Sequence, residues 1–256
     1  MKMVLTILAS GSSGNCALVQ GDGVCLVIDA GLPIRTLQKR LGRAGRKGPV
    51  VGVLLTHAHA DHIGHAAAYS DYFGCPILIS TEALAALPEA QRKKSARCLV
   101  FDAGEAFGVG AFRIWTCPTP HSEGSVAYLV SGNGRALGWI SDCGSVTNEL
   151  MELAQGVSVL AVESNYSPSV LAQCTEYDQR LRQRISGGRG HLSNEQASQL
   201  IAAGASSGNL RKAILMHLSE HSNFPELAMD TAMIAKGNAE VEILIAGRDG
   251  AESVEV

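Results

Sequence analysis

The amino-acid sequence predicts a protein of the α/β class, and three observations support this class. Short apolar runs rich in β-branched residues alternate with longer helical stretches along the chain. Four of the apolar runs end in a histidine or a carboxylate, at His57, Asp142, Glu163 and His217. α/β proteins collect functional side chains at the carboxyl ends of their strands, so these four are expected at one shared rim. The 256 residues, 46% of them hydrophobic, also supply enough material for a large core.

The composition excludes several classes of protein. A formal charge of -3 argues against a general nucleic-acid binder, although a local basic groove stays compatible with it. Seven dispersed cysteines without a Cys-x-x-Cys pair predict reduced thiols and a cytoplasmic protein. No apolar run approaches the ~20 residues that span a membrane, and the opening stretch is better interpreted as a strand than as an export leader. Without repeats or linkers, residues 1–256 are expected to form a single domain.

The first elements are strands at residues 3–8, 17–20 and 24–28, followed by a helix over 33–41. The glycine- and serine-rich loop at residues 10–15 fits a plain hairpin turn or a loop whose N–H groups bind an anion, and the pattern does not decide between them. The helix and the loop after it are basic, which we interpret as a solvated helix face. Their cations are Arg35, Lys39, Arg40, Arg43, Arg46 and Lys47.

A metal-binding pattern follows the next strand. Residues 50–55 predict a buried strand, and Thr56-His57-Ala58-His59-Ala60-Asp61-His62 comes directly after it. Imidazole and carboxylate ligands together suit borderline or hard divalent ions such as Zn, Mn or Fe. The alternative is a solvated turn rich in histidine, but four metal-competent side chains within six residues make that interpretation weak.

The remaining pattern alternates strands and helices as far as residue 246. The predicted strands are 76–79, 99–101, within 107–117, 125–130, 135–140, 157–162, 212–216 and a last strand at 241–246. The predicted helices are 63–72, 81–87 capped by Thr81, 147–154, 171–185, and one that starts at Ser193 or Asn194 and ends near 203. A single histidine, His121, lies in a loop between two strands.

Taken together, these positions resemble the metallo-β-lactamase superfamily. The resemblance rests on His57-x-His59-x-Asp61-His62, then His121, Asp142 and His217, in that order along most of the chain. It implies an αββα sandwich of two mixed β-sheets flanked by helices, with two divalent metal ions, Zn2+ or Mn2+, at one edge. It implies that one ion is held by His57, His59 and His121, the other by Asp61, His62 and His217, and that Asp142 bridges both.

Within the superfamily, the chain resembles the YycJ/WalJ-type proteins, bacterial relatives of the RNase J and RNase Z nucleases. The motifs that carry this resemblance are Gly11-Ser12-Ser13-Gly14-Asn15, Glu163-Ser164-Asn165, Gly190-His191-Leu192-Ser193-Asn194 and His217-Leu218-Ser219. Ser222 stands where that group usually has an asparagine. His191-x-Ser193 is similar to the His-x-Ser element with which the nuclease branch approaches the scissile phosphate, although Ser193 and Asn194 also fit a plain helix cap.

The expected function is therefore a binuclear metal phosphodiesterase, specifically a DNA 5′ exonuclease that uses a metal-bridging hydroxide. Asp61 is expected to orient the water and accept its proton, and His191 to contact the phosphate or protonate the leaving oxygen. The expected substrate-binding residues are Ser12, Asn165, Arg189, Ser193 and Asn194. Three arginines ahead of Arg189 offer a basic approach, namely Arg180, Arg182 and Arg184.

Other functions stay open at this point. The 74 residues between Asp142 and His217 are too few for the clamp domain of RNase J-type enzymes, which favours DNA over long RNA. The alternative is a hydrolase of a small cyclic phosphodiester or another small ester or thioester. A non-catalytic binding module is the weakest hypothesis, because all seven ligand positions are filled. The native metal and the oligomeric state are not predicted, and no membrane partner is expected.

Overall fold

Two seven-stranded sheets form the centre of the fold in the computed structural model, which describes residues 2–89, 97–250 and 253–256. The first sheet contains, in spatial order, β14 (Val254–Glu255), β1 (Val4–Ala9), β2 (Cys16–Gly21), β3 (Val24–Ile28), β4 (Val50–Leu54), β5 (Ile77–Ser80) and β6 (Cys98–Phe101). The second contains β13 (Glu242–Ile245), β12 (Lys212–Met216), β11 (Val159–Glu163), β10 (Arg135–Ile140), β9 (Val126–Gly132), β8 (Phe112–Pro118) and β7 (Ala106–Val109).

Both sheets are mixed, as predicted. In the first sheet β1, β2 and β3 pair antiparallel, whereas β3, β4, β5 and β6 run parallel. In the second sheet β7 to β10 form antiparallel pairs, and β10, β11, β12 and β13 run parallel. The parallel strands of a sheet all end at the same edge. The side chains that follow β3, β4, β10, β11 and β12 therefore meet at one end of the sandwich.

Helices cover the outer face of each sheet and complete the predicted αββα arrangement. They are α1 (Ile34–Arg43), α2 (Ala60–Ile63), α3 (Ala66–Phe73), α4 (Thr81–Ala86), α5 (Asn148–Gln155), α6 (Pro168–Gln173), α7 (Gln179–Ile185), α8 (Asn194–Ser207) and α9 (Pro225–Lys236). One core cluster, which includes Leu5 and Trp139, fills the space between the sheets. Of two further clusters, one packs the first sheet against its helices and the other packs the second sheet against its own. None of the helices in the described ranges is long and apolar enough to cross a membrane.

Several predicted elements were wrong in detail. The helix predicted over 171–185 is two helices, because the side chain of Asp178 accepts a hydrogen bond from the Leu181 N–H and starts α7 anew. The cap of α4 is Ser80, the last residue of β5, and not Thr81. The helix predicted over 63–72 is likewise divided between α2 and α3. The last strand is β14, a two-residue edge strand on β1, and not the strand near 241–246.

Candidate metal centre

Three of the strand ends at this edge turn sharply through left-handed backbone. Asp29 after β3, Asp142 after β10 and His217 after β12 have φ angles of 61°, 34° and 58°. Non-glycine residues in this region cost of order 1–3 kcal/mol each, so the surrounding structure must hold them there. All three side chains are nearly inaccessible to solvent, and all three belong to the same cluster of histidines and carboxylates. Backbone strain thus coincides with the predicted site.

Three imidazoles converge on one side of this cluster. Nδ1 of His59 lies 3.0 Å from Nε2 of His57 and 3.2 Å from Nε2 of His121. Nδ1 of His121 donates to the carbonyl oxygen of Gly190 at 2.8 Å, which leaves its Nε2 directed at the other two rings. Because three ring nitrogens face one another at this distance, their lone pairs can share a cation. These are the three histidines that the family resemblance assigns to one ion.

The second group lies on the other side of Asp142. Nε2 of His62 is 3.5 Å from Oδ2 of Asp61 and 3.4 Å from Oδ1 of Asp142. Nε2 of His217 is 3.6 Å from the same Oδ1 and 3.9 Å from Oδ2 of Asp61. Asp61 and His62 form the first turn of α2, whereas His217 comes from the opposite sheet. The three side chains that the family resemblance assigns to a second ion therefore lie close together and close to the proposed bridging residue, Asp142.

Asp142 separates the two groups with its two oxygens. Oδ2 lies 3.7 Å from Nε2 of His57 and 3.6 Å from Nε2 of His121, while Oδ1 faces His62 and His217. The ligand atoms within each group all lie within 4.8 Å of one another. Oδ1 of Asp142 and Nε2 of His217 are buried without a hydrogen-bond partner among the described residues, which is costly unless another group satisfies them. Nitrogen and oxygen donors in this arrangement fit divalent metal ions.

The pKa shifts of the histidines also fit a site that binds cations. Burial, assisted by the neighbouring histidines, lowers the pKa of His57 and of His59, so both rings are neutral and can act as ligands. Burial also opposes protonation of His62, but the charges of Asp29 and Asp142 outweigh it and raise its pKa to about 10. The carboxylates raise the pKa of His217 well above its usual value in the same way. These protons balance charge that a bound cation would neutralise, so metal binding must release them.

The structure assigns a supporting function to Asp29, which the sequence analysis did not include in the site. Its fully buried carboxylate accepts a 2.8 Å hydrogen bond from Nδ1 of His62. It also accepts hydrogen bonds from the N–H and the hydroxyl of Thr56. A carboxylate on Nδ1 keeps the proton there and turns Nε2 toward the cluster. Asp29 follows a buried strand as His57 and Asp142 do, so the same pattern could have identified it.

Glu163 supports two histidines at once. Its buried carboxylate lies 2.6 Å from Nδ1 of His191 and 3.2 Å from Nδ1 of His217, and it accepts hydrogen bonds from the N–H groups of Cys143 and Leu192. Burial alone would raise its pKa, but His191 and the hydrogen bonds from both histidines lower it to about 2. The sequence placed Glu163 at the rim without a function. Its position holds a proton on Nδ1 of His191, whereas Nδ1 of His217 lies between Glu163 and the side-chain NH2 of Asn165.

His191 and Arg189 belong to a loop that packs tightly against the cluster. The rings of His191 and His217 are stacked, with centroids 5.4 Å apart. Nε of Arg189 donates to the carbonyl oxygen of His121 at 2.9 Å, and the rest of this exposed side chain is free to reach solvent. A Cβ on Gly144 would lie 2.5 Å from the backbone of Arg189, so a glycine is needed where the two loops cross.

The other predicted substrate-binding residues differ in how accessible they are. Ser12 is exposed at the tip of its loop, and Asn15 ties that loop to His62 through a 2.9 Å contact. The Ser193 hydroxyl instead accepts from the N–H of Gln196 as a helix cap. The side chains of Asn165 and Asn194 are buried and engaged by His217, Ser164 and Asn223. These three residues therefore hold the loops together, while Ser12 and Arg189 face outward.

Asn223 is a further residue that the sequence analysis missed. Its side-chain amide donates to the carbonyl oxygens of Ser164 and Asn165 and exchanges hydrogen bonds with the side chain of Asn194. It thus joins the loops that follow β11 and β12 to the start of α8. The neighbouring Ser222, at the position that departs from the related group, is fully buried and accepts from the N–H of Ser167 through its carbonyl oxygen.

Comparison with known proteins identifies the family of this chain and shows the same fold in solved structures. Residues 9–140 match the family model of the metallo-beta-lactamase superfamily. The chain is 26% identical over 244 residues to Exodeoxyribonuclease WalJ of Streptococcus pneumoniae, covering 93% of this chain and 90% of the relative. It is 27% identical over 237 residues to Exodeoxyribonuclease YycJ of Bacillus anthracis, covering 89% and 87%. Zn2+-bound PqqB from Methylobacterium extorquens superposes with a TM-score of 0.76 at 17% identity, over 99% of this chain and 100% of that one.

Proposed function

We propose that this chain, which belongs to the metallo-β-lactamase superfamily, is a nuclease that removes nucleotides from the 5′ end of DNA. The chain is a metal-dependent hydrolase, in keeping with its family and with its two exodeoxyribonuclease relatives. One observation above all supports a phosphodiester substrate. A histidine held by a buried carboxylate, His191, lies beside the two groups of metal-competent side chains.

The residues present fit two divalent ions, Zn2+ or Mn2+. The proposed ligands are His57, His59 and His121 for one ion, Asp61, His62 and His217 for the other, and Asp142 for both. Bound there, such ions would polarise the phosphodiester and lower the pKa of a water molecule, so that hydrolysis proceeds at neutral pH.

Asp61 and His191 are the proposed proton carriers. Asp61 is the more accessible carboxylate of the cluster, with its side chain 26% exposed, so it can orient the attacking water and accept its proton. Nδ1 of His191 is engaged by Glu163, so its Nε2 is the atom left to contact the phosphate or protonate the leaving oxygen. Burial opposes protonation of this ring, but Glu163 outweighs it and raises the pKa of His191, which suits a proton donor near neutral pH.

Arg189 and Ser12 are the proposed contacts to the substrate. Arg189 is held through its Nε by the carbonyl oxygen of a proposed metal ligand, His121, which leaves the terminal nitrogens of the guanidinium for a phosphate oxygen. Ser12 approaches from the loop after β1 and offers a hydroxyl. Ser193, Asn165 and Asn194 would act on the substrate through the loops that they hold in place.

The described residues favour one domain with an open site. Between β11 and His191 the chain forms the two short helices α6 and α7, which pack together through Leu171 and Ile185 and against Tyr166. No clamp domain is inserted among these residues, in contrast to what the resemblance implies for RNase J-type enzymes. The end of a DNA strand can enter such a site directly, and this supports exonucleolytic cleavage.

The test uses metal-loaded protein with DNA duplexes labelled at the 5′ or the 3′ end, a matched RNA, and a chromogenic small phosphodiester. We expect release of the 5′ label as mononucleotides and slower cleavage of RNA. Hydrolysis of the small ester without any cleavage of DNA would refute the nuclease assignment and favour a small cyclic phosphodiester as the substrate. Release of the 3′ label first would refute the proposal that cleavage starts at the 5′ end.

A further inference from the structure

Three cations form a stripe along the outer side of α1. Arg35, Lys39 and Arg43 are spaced four residues apart, which places them on one face of the helix at intervals of ~6 Å along its axis. The opposite face carries the buried Leu37 and Leu41, which pack in the core beneath the first sheet. We call Arg35, Lys39 and Arg43 the α1 stripe.

The α1 stripe has no carboxylate partner. All three side chains are exposed and form no ion pair with the carboxylates that the structure describes. Between Asp29 and Asp61 the sequence contains six cations and no acidic residue. A solvated surface helix ordinarily interleaves charges of both signs, because i,i+4 pairs of opposite sign stabilise it and like pairs destabilise it. No ion pair with a described carboxylate offsets the repulsion among the three cations.

Two neighbouring arginines, unlike the α1 stripe, have partners within the protein. Arg40 donates to the carboxylate of Asp249, and its guanidinium also contacts the carbonyl oxygen of Leu8. Arg46 donates to the carbonyl oxygen of Gly48 and lies over the ring of Phe73, 5.9 Å from its centroid. These two cations are used within the fold. Apart from Arg46, the cations of this stretch that form no ion pair with a described carboxylate are the three of the α1 stripe, on the helix itself, and Lys47 in the loop after it.

The helix begins next to the proposed metal site. The N–H of Ala30 donates to the carbonyl oxygen of His62, and the N–H of Gly31 donates to the carbonyl oxygen of Asn15. A Cβ on Gly31 would lie 2.0 Å from the carbonyl oxygen of Asp61, so this turn is packed directly against α2. α1 starts three residues later, and its ten residues extend ~15 Å from there. The α1 stripe therefore leads away from the site along the outside of the first sheet.

We propose that the α1 stripe binds the phosphate backbone of a nucleic-acid strand several nucleotides away from the bond that is cleaved. The inference rests on the proposed function and adds to it a contact surface outside the site. A polyanion with regularly spaced charges complements a row of unpaired cations, and such contacts hold the strand without reading its sequence. The exposed positions between the cations are Gln38 and Gly42, and the stripe lacks the apolar residues with which a helix enters a membrane.

The test compares two triple variants that remove the same charge. R35Q/K39Q/R43Q removes the α1 stripe. R113Q/R135Q/R211Q removes three exposed arginines within one residue of the start of β8, β10 and β12. These strand starts lie at the edge of the sandwich opposite the metal site. Binding of a fluorescent single-stranded oligonucleotide to chelator-treated protein is measured by anisotropy at several salt concentrations, so that the result does not depend on turnover. Hydrolysis of a chromogenic small phosphodiester is measured separately on metal-loaded protein.

For R35Q/K39Q/R43Q we expect the slope of log affinity against log salt to fall by about 2, and the affinity for a long oligonucleotide to fall about tenfold or more. Affinity for a dinucleotide and turnover of the small ester should stay at the wild-type level, and R113Q/R135Q/R211Q should behave as wild type throughout. Equal losses in both triple variants would overturn the inference, because net charge alone would then explain them. An unchanged slope would also overturn it, while cleavage of DNA by the wild type would leave the proposed function standing.

Two further outcomes separate this inference from its rivals. If wild-type protein binds DNA through the stripe but never cleaves it, the nuclease assignment fails and the inference holds. If the stripe instead mediates binding to vesicles containing phosphatidylserine, with no effect of R35Q/K39Q/R43Q on DNA, the partner is a membrane surface and the inference is wrong.

Discussion

Replacing Asp29 by asparagine should weaken metal binding through the tautomer of one histidine. Asparagine has the shape of aspartate and tolerates the φ angle of 61° at this position, so the backbone is expected to keep its conformation. One carboxylate oxygen accepts from the Thr56 N–H and hydroxyl, and an amide oxygen can replace it there. The other faces Nδ1 of His62 at 2.8 Å, where the variant presents an NH2 group. Since an amide NH2 donates hydrogen bonds and accepts none, Nδ1 of His62 would have to give up its proton and accept a hydrogen bond instead. The proton of the neutral ring would then lie on Nε2, the atom proposed to bind the metal.

The size of the effect follows from the bond that is lost. A hydrogen bond to a charged group contributes about 1.5–3 kcal/mol, which corresponds to roughly 10- to 150-fold in metal affinity. This agrees with the ~10–100-fold losses seen when a carboxylate behind a metal-binding histidine is removed. Competition with a chromogenic chelator measures the affinity, and unfolding of the chelator-treated protein shows whether the fold is intact. D249N, which changes an exposed carboxylate that pairs with Arg40 and with no histidine of the cluster, is the control. Wild-type metal affinity in a folded D29N protein would refute this account of His62.

Three other substitutions test the remaining parts of the site. D142A should lose both metal retention, measured by elemental analysis, and turnover, because one side chain serves both groups; retention of two ions would contradict the bridging position. H191A should retain metal and lose about 100- to 10,000-fold in kcat, and full activity would remove His191 from the mechanism. E163Q should lower the pKa of His191, so the fall in kcat at high pH should begin at a lower pH than in the wild type. The direction of this change follows from two facts: Glu163 raises the pKa of His191, and His191 stops being a proton donor as the pH rises above its pKa. An unmoved pH profile with normal metal content would show that Glu163 acts only on the fold.

Much of the site could be predicted because its chemistry follows buried strands. The apolar run that became β4 ends three residues before His57, and the same rule located Asp142 and His217, which follow the ends of β10 and β12 by one or two residues. What placed them together was the parallel pairing of β10, β11 and β12, which a one-dimensional pattern suggests but does not determine. The resemblance to a known family supplied the two-sheet arrangement and the division of the ligands between two ions.

The rest depended on contacts between distant residues. The hydroxyl of Ser193 looks equally suited to a substrate or to a cap, and only its hydrogen bond to Gln196 decides that it caps α8. The residues Asn165 and Asn194 are buried by loops that no local pattern describes. The break at Asp178 was missed because helical spacing continued through it, whereas the side chain formed a cap that begins a new helix.

The ligands of each proposed ion come from both sheets. His57, His59, Asp61 and His62 follow β4 in the first sheet, and His121, Asp142 and His217 follow strands of the second. A bound ion would therefore act as a cross-link between two halves of the chain, in addition to the apolar core and the hydrogen bonds that join them. Since the complete ligand set exists only in the folded chain, metal at about 100 times its dissociation constant should add about 2.7 kcal/mol to the free energy of unfolding. Metal supply would then govern how long this protein survives proteolysis as well as how fast it works.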